Sequence, residues 1–101
     1  MAERGRLREL RYGQSHKRRT FTATLARIRE YDNSKMLANI CADGELVVQH
    51  LWVFGRDARQ LDYPQGTQVK FTGRIYLYRR VGGTLDYGIR YIREVKKHRE
   101  K

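Results

Sequence analysis

The chain has 101 residues, and its 22 lysines and arginines against 11 aspartates and glutamates give a formal charge of +11. That length supports one domain around one modest core, and no apolar run approaches the roughly 20 residues of a membrane-crossing helix. The charge narrows the partners to nucleic acid, an anionic membrane surface or a ribonucleoprotein particle. The lone Cys41 and the missing apolar segment behind the basic N-terminus point to a reducing, cytoplasmic or nucleoid-associated setting and away from secretion.

Residues 1–19 carry Arg4, Arg6, Arg8, Arg11, Lys17, Arg18 and Arg19 against Glu3 and Glu9, with too few aliphatic residues to seat a helix. They read as a basic, flexible arm able to order on binding. A globular domain follows over 20–96, with a basic tail over 97–101. From Thr20 the alternation Thr-Phe-Thr-Ala-Thr-Leu predicts a first strand. Its pattern slips one place so that Leu25 and Ile28 both look inward, which a bulge near Ala26-Arg27 would produce. Asp32-Asn33-Ser34 signals a turn, Met36, Ala38, Ile40 and Ala42 form the inward set of a second strand, and Asp43-Gly44 is a hairpin dipeptide.

The third strand covers 45–54, with Val47, Leu51 and Val53 on one face and Val48, His50, Trp52 and Phe54 on the other. Both faces are apolar, so periodicity does not choose the buried one. A short helix over 56–61 is stopped by Tyr63-Pro64-Gln65-Gly66. The fourth strand, over 69–80, alternates strictly. Val69, Phe71, Ile75 and Leu77 make a core face, and Lys70, Thr72, Arg74, Tyr76, Tyr78 and Arg80 interleave cations with rings on the other. A loop over 81–84 leads to a fifth strand over 87–95, on which Arg90 joins the basic set while Tyr87 and Tyr91 stay divided between core and groove. Three strands, a helix and two strands predict an all-β domain, a five-stranded barrel of the OB type with its short helix between strands three and four. An SH3-like barrel has no place for that helix, and a sandwich needs more strands.

From His50 to Arg80 the chain resembles the OB-fold nucleic-acid-binding proteins, most closely the bacterial and phage-type single-stranded DNA-binding proteins. Trp52-Val53-Phe54-Gly55, the helix with Ala58 and Leu61, and Gly66-Thr67-Gln68-Val69 leading to Gly73-Arg74-Ile75 carry the resemblance. It implies that Phe54 stacks on a base, that Arg74, Tyr76, Tyr78 and Arg80 line the strand-binding surface, and that Val48, His50, Trp52 and Phe54 face the groove. Two adjacent strands would then present these rings together. The chain ends in Lys-Lys-His-Arg-Glu-Lys where those bacterial proteins carry a long acidic-tipped tail, which keeps a phage- or plasmid-encoded variant or an RNA-binding relative open.

The expected function is single-stranded nucleic-acid binding, DNA ahead of RNA, by base stacking and by phosphate contacts from Lys70, Arg74, Arg80, Arg90 and the arm residues Lys17, Arg18 and Arg19. No Asn/Gln cluster adjoins the rings in sequence, so weak base preference is expected. Trp52 and Phe54 could equally be core aromatics, and His50 a structural histidine. The alternatives are an RNA-binding or ribonucleoprotein component, and a phage-type inhibitor or assembly factor with a basic docking face. Barrels of this kind also pair through strand edges, which leaves a homo-oligomer open.

Catalysis has little support. His16, His50, His98 and Cys41 lack metal-ligand spacing, Gly82-Gly83 is no phosphate loop, and Asp32, Asp43, Asp57, Asp62 and Asp86 sit where turns and caps need them. Neither enzyme activity, nor a metal, nor a cofactor, nor a membrane partner is expected.

Overall fold

Alternating apolar residues build five antiparallel strands into one sheet, ordered β3-β2-β1-β4-β5 in the computed structural model. The structure describes residues 18–79 and 81–98, with only the backbone of Leu77, Tyr78 and Leu85. The elements are β1 (Arg19–Arg29), β2 (Ser34–Ala42), β3 (Glu45–Val53), the helix α1 (Gly55–Gln60), β4 (Gln68–Arg79) and β5 (Leu85–Lys97). β1 therefore begins inside the stretch expected to be an arm, whose remaining residues 1–17 lie outside the described ones.

Phe21, Ala23 and Leu25 of β1 are buried on one face. Leu25 then pairs with Leu37 and Arg27 with Met36, so Ala26 is the extra residue of the expected bulge. Asp32 closes the next turn by accepting the Ser34 N–H at 3.0 Å and its hydroxyl at 2.7 Å. Those two bonds, helped by the Arg29 charge, hold the Asp32 carboxyl below its ordinary value. Asp43 and Gly44, with φ of 54° and 79°, make the left-handed pair that matches strand twist in a two-residue hairpin.

The inward sets of β2 and β3 differ from the expected ones. Asn39 (φ 53°) is a second bulge, because Ala38 pairs with Thr24 and Cys41 with Thr22. One extra residue exchanges the two faces of a strand. Lys35 and Leu37 therefore face the core before the bulge and Ile40 and Ala42 after it, while Met36 and Ala38 lie half-buried on the opposite side. A register shift at Cys41 likewise buries both Val47 and Val48, so Val48 does not face outward as expected.

Inward Lys35 is 4% exposed, and its Nζ donates to the Leu61 carbonyl at the C-terminal end of α1, 2.7 Å away. Burial pushes its pKa below the ordinary value, opposed by the nearby Asp62 charge. Ala58 and Leu61 fix α1 over the core. The chain then turns through Pro64 and Gly66 into β4, where Val69, Phe71 and Ile75 are buried as expected and Phe71 stacks on Phe21 with centroids 5.7 Å apart. Two residues of β5, Tyr91 (φ 60°) and Glu94 (φ 55°), are bulges that coil the last strand. The curl brings β3 and β5, the two edges of the sheet, into contact, with α1 packed on β5 and β2. Among the described residues no ladder joins those edges, so the sheet is not closed. No helix among them is long and apolar enough to cross a membrane.

Candidate nucleic-acid interface

The strict alternation of β4 decides what stands on its outward side. Lys70 and Arg74 are exposed there and Tyr76 is half-buried. β5 lies alongside in a register that sets Arg74 directly opposite Arg90, Lys70 opposite Lys96, and Thr72 opposite Arg93. Like charges facing each other across a ladder are destabilising unless an anion lies between them. None of these five cations has an ion pair among the described residues, and Glu94 is the only carboxylate on β5 between Arg90 and Lys97.

The aromatic rings follow from the same register. Tyr76 lies opposite Gly88, so close that a Cβ on Gly88 would stand 2.9 Å from the ring. The Arg90 guanidinium sits 4.5 Å from the Tyr76 centroid and 5.1 Å from that of Tyr91, and Arg74 approaches the Tyr91 ring at 6.0 Å. Tyr76 is therefore partly covered by its own chain, and the more open ring is Tyr91, 49% exposed. Its bulge is held from two sides. The Asp57 carboxylate of α1 accepts the backbone N–H groups of Tyr91 (3.3 Å) and Ile92 (3.0 Å), and Arg18 Nη1 donates to the Tyr91 carbonyl (2.6 Å) and to Thr72 Oγ1 (3.0 Å). Phe54, one turn before Asp57, is 58% exposed at the start of the helix.

A second cluster surrounds the half-buried Trp52. Trp52, Met36 and Arg27 lie directly across from one another on β3, β2 and β1, and the Arg29 guanidinium stands 4.2 Å from the Trp52 ring and 5.6 Å from that of Tyr31. Arg27, Ile28, Arg29, Trp52 and Gln65 line an open pocket, with Gln65 Oε1 accepting the Ile28 N–H at 3.2 Å. His50 is exposed on the same face, opposite Ala38.

Trp52 is half-buried, and Phe54 and His50 are exposed, so none of the three is a core residue. They do not share adjacent strands with Tyr76, because β2 and β1 lie between β3 and β4 in the ladder. Arg19, half-buried, opposes Gly73 at the start of β1. Tyr78 lies opposite Asp86 by its backbone alone, and Lys17 and Arg80 lie outside the described residues. Arg27, Arg29, Tyr31, Asp57 and Arg93 were not anticipated. Tyr91 could not be assigned, since a bulge removes the parity that would place it.

No group of three His, Cys, Asp or Glu residues able to hold a metal occurs among the described residues. No protein-family model matches this chain, nor does any curated protein or any solved structure.

Proposed function

We propose that the chain binds single-stranded nucleic acid, DNA ahead of RNA, on the outward face of an OB-type barrel, as a binding protein and not an enzyme. One observation carries the proposal: Arg74 against Arg90 and Lys70 against Lys96, two like-charged pairs opposed across one ladder beside Tyr76 and Tyr91. A line of phosphates relieves that repulsion, and each base stacked on an exposed ring adds about 1–3 kcal/mol with little regard to its identity. Arg29 beside Trp52 and Tyr31 repeats the same chemistry on the first three strands. The partly open curl and the helix between the third and fourth strands suit the OB architecture. The preference for DNA rests on the resemblance alone.

The test is a titration of the full chain with oligo-dT, oligo-rU and duplex DNA at several salt concentrations, read by the fluorescence of Trp52, its single tryptophan. Quenching by oligo-dT should weaken with salt by about 0.7 log units per neutralised phosphate, and Arg90→Ala should reduce that slope by about one phosphate. Stronger binding of oligo-rU would favour the RNA reading. Failure to bind any of them below about 100 μM near physiological salt would favour docking on an acidic protein, because nonspecific nucleic-acid affinities lie at about 1–100 μM.

A further inference from the structure

The middle of the outward face carries a feature that the sequence conceals. Thr22 and Thr24 of β1, Asn39 of β2, Gln68 of β4 and His98 just beyond β5 line an open concavity of about 300 Å³, together with Cys41. These residues are scattered over most of the chain, and three separate pieces of geometry assemble them. The β1–β4 ladder sets Thr24 opposite Gln68 and Thr22 opposite Lys70. The bulge in β2 holds Asn39 in the left-handed region at φ 53°, and bulges of this kind re-aim a side chain. The His98 N–H donates to the Gln68 carbonyl at 2.8 Å, which brings the imidazole to the rim.

The floor of the concavity is made of small side chains, so the surface dips where its neighbours are long and charged. Its two side-chain amides have no partner among the described residues. Among the described residues no side-chain hydrogen bond uses the amide of Asn39 or of Gln68, whereas the Cys41 thiol is turned toward the Asn39 carbonyl at 3.5 Å. An amide offers one acceptor and two donors in a plane, which is the complement of the edge of a base.

We infer that this concavity is a base-reading pocket in which the Asn39 and Gln68 amides hydrogen-bond the edge of an unstacked base. The inference rests on the proposed single-strand binding. A carboxamide pairs in one plane with any base edge that sets a donor beside an acceptor, N6–H and N7 of adenine or N3–H and O4 of an unpaired thymine among them, so the amides read edges and not ring faces. Lys70 and Lys96, one ladder step away from Thr24 and Gln68, are placed to hold the flanking phosphates. Stacking at Tyr91 and Trp52 is blind to base identity, so any strong preference has to originate in a pocket of this type.

The experiment compares oligo-dA with oligo-dT of equal length on the full chain, wild type against Asn39→Gly and Gln68→Met. Glycine keeps the left-handed backbone at position 39 without strain, and methionine keeps the bulk of Gln68 without its amide. A circular-dichroism melt confirms that each variant folds, and the salt slope of oligo-dT binding controls for phosphate contacts. The expected result is a ratio of oligo-dA to oligo-dT affinity that changes by about tenfold or more, in the same direction, in both variants. The intrinsic stacking of oligo-dA is common to all three proteins and cancels in that comparison. A ratio that either variant leaves within about threefold of the wild-type value overturns the pocket and leaves single-strand binding standing. Absence of binding to both oligomers removes the proposed function and this inference with it.

Discussion

Truncating Phe71 and Tyr76, five residues apart on β4, separates its two faces by energy. Phe71 is 0% exposed and stacked on Phe21 at 5.7 Å with ring planes 29° apart, so Phe71→Ala opens a cavity under the β1–β4 ladder. Such truncations cost about 3–5 kcal/mol. A domain of this size has roughly 5–15 kcal/mol of total stability, so the loss is about a fifth of it or more. At about 4–8 °C of melting temperature per kcal/mol, the drop should exceed roughly 12 °C. Tyr76 stands on the other side, half-buried against Gly88 and under the Arg90 guanidinium. Tyr76→Ala forfeits a cross-strand contact and a cation–π contact at a partly wet site, together about 1 kcal/mol. Urea denaturation followed by far-ultraviolet circular dichroism measures both. Equal destabilisation would refute the assignment of faces on β4, and with it the outward surface on which the proposed binding depends.

The two strand glycines make a second contrast. Gly73→Ala drives a Cβ to 2.8 Å from Ile89 Cγ2 and 3.3 Å from the Arg90 carbonyl in a buried site, and should cost about 1–3 kcal/mol. Gly88→Ala meets only the Tyr76 ring at 2.9–3.2 Å; the ring can swing toward solvent, so the urea midpoint should fall less while the Arg90 stack is lost. Asp57→Ala removes the acceptor of the Tyr91 and Ile92 amides, and should lower stability by about 1–3 kcal/mol and speed hydrogen exchange at those two amides ahead of the rest of β5. Lys35, with its folded pKa lowered below the ordinary 10.5, binds its proton less tightly when folded than when unfolded. Its contribution to stability therefore rises with pH between the depressed value and 10.5, and wild type should gain on Lys35→Met between about pH 7 and pH 10; a difference that stays flat would show that the Lys35 ammonium is not desolvated.

Much of the fold is legible in local pattern, and the exceptions share a cause. β4 alternates without interruption, and from Val69 to Tyr76 its buried and more exposed residues fall where the sequence places them. The Asp43-Gly44 hairpin and the Pro64–Gly66 stop are written in the residue types that those conformations favour, and the Ala26 bulge in the one-place slip of the β1 pattern. β2, β3 and β5 escape the same treatment because each contains a bulge or a register shift, and a single extra residue reverses every later assignment on its strand. Asn39 is the one such site with a residue type suited to positive φ, whereas Tyr91 and Glu94 carry no such mark. Lys35 escapes for another reason: lysine reads as surface, and only the carbonyl at the end of α1 makes its inward position tolerable. The separation of β3 from β4 by two strands escapes for a third reason, because strand order is a long-range property that no window of sequence contains.

Two of the left-handed residues and both like-charged pairs lie around the proposed binding face. A non-glycine residue in the left-handed region costs of order 1 kcal/mol or more and persists only when its surroundings impose it. Asn39 is imposed by the β1–β2 register and lines the amide pocket. Tyr91 is imposed by Asp57 and Arg18 and carries the most open ring of the β4–β5 cluster. The opposed Arg74–Arg90 and Lys70–Lys96 pairs lie on the ladder beside them. The core face shows the reverse, apolar and well packed, with Lys35 hydrogen-bonded and no buried side-chain nitrogen or oxygen left unpartnered among the described residues. A sequence free to optimise stability alone would place carboxylates opposite those cations and regular extended residues at positions 39 and 91. This chain does neither, and both departures adjoin the surface proposed above for nucleic acid.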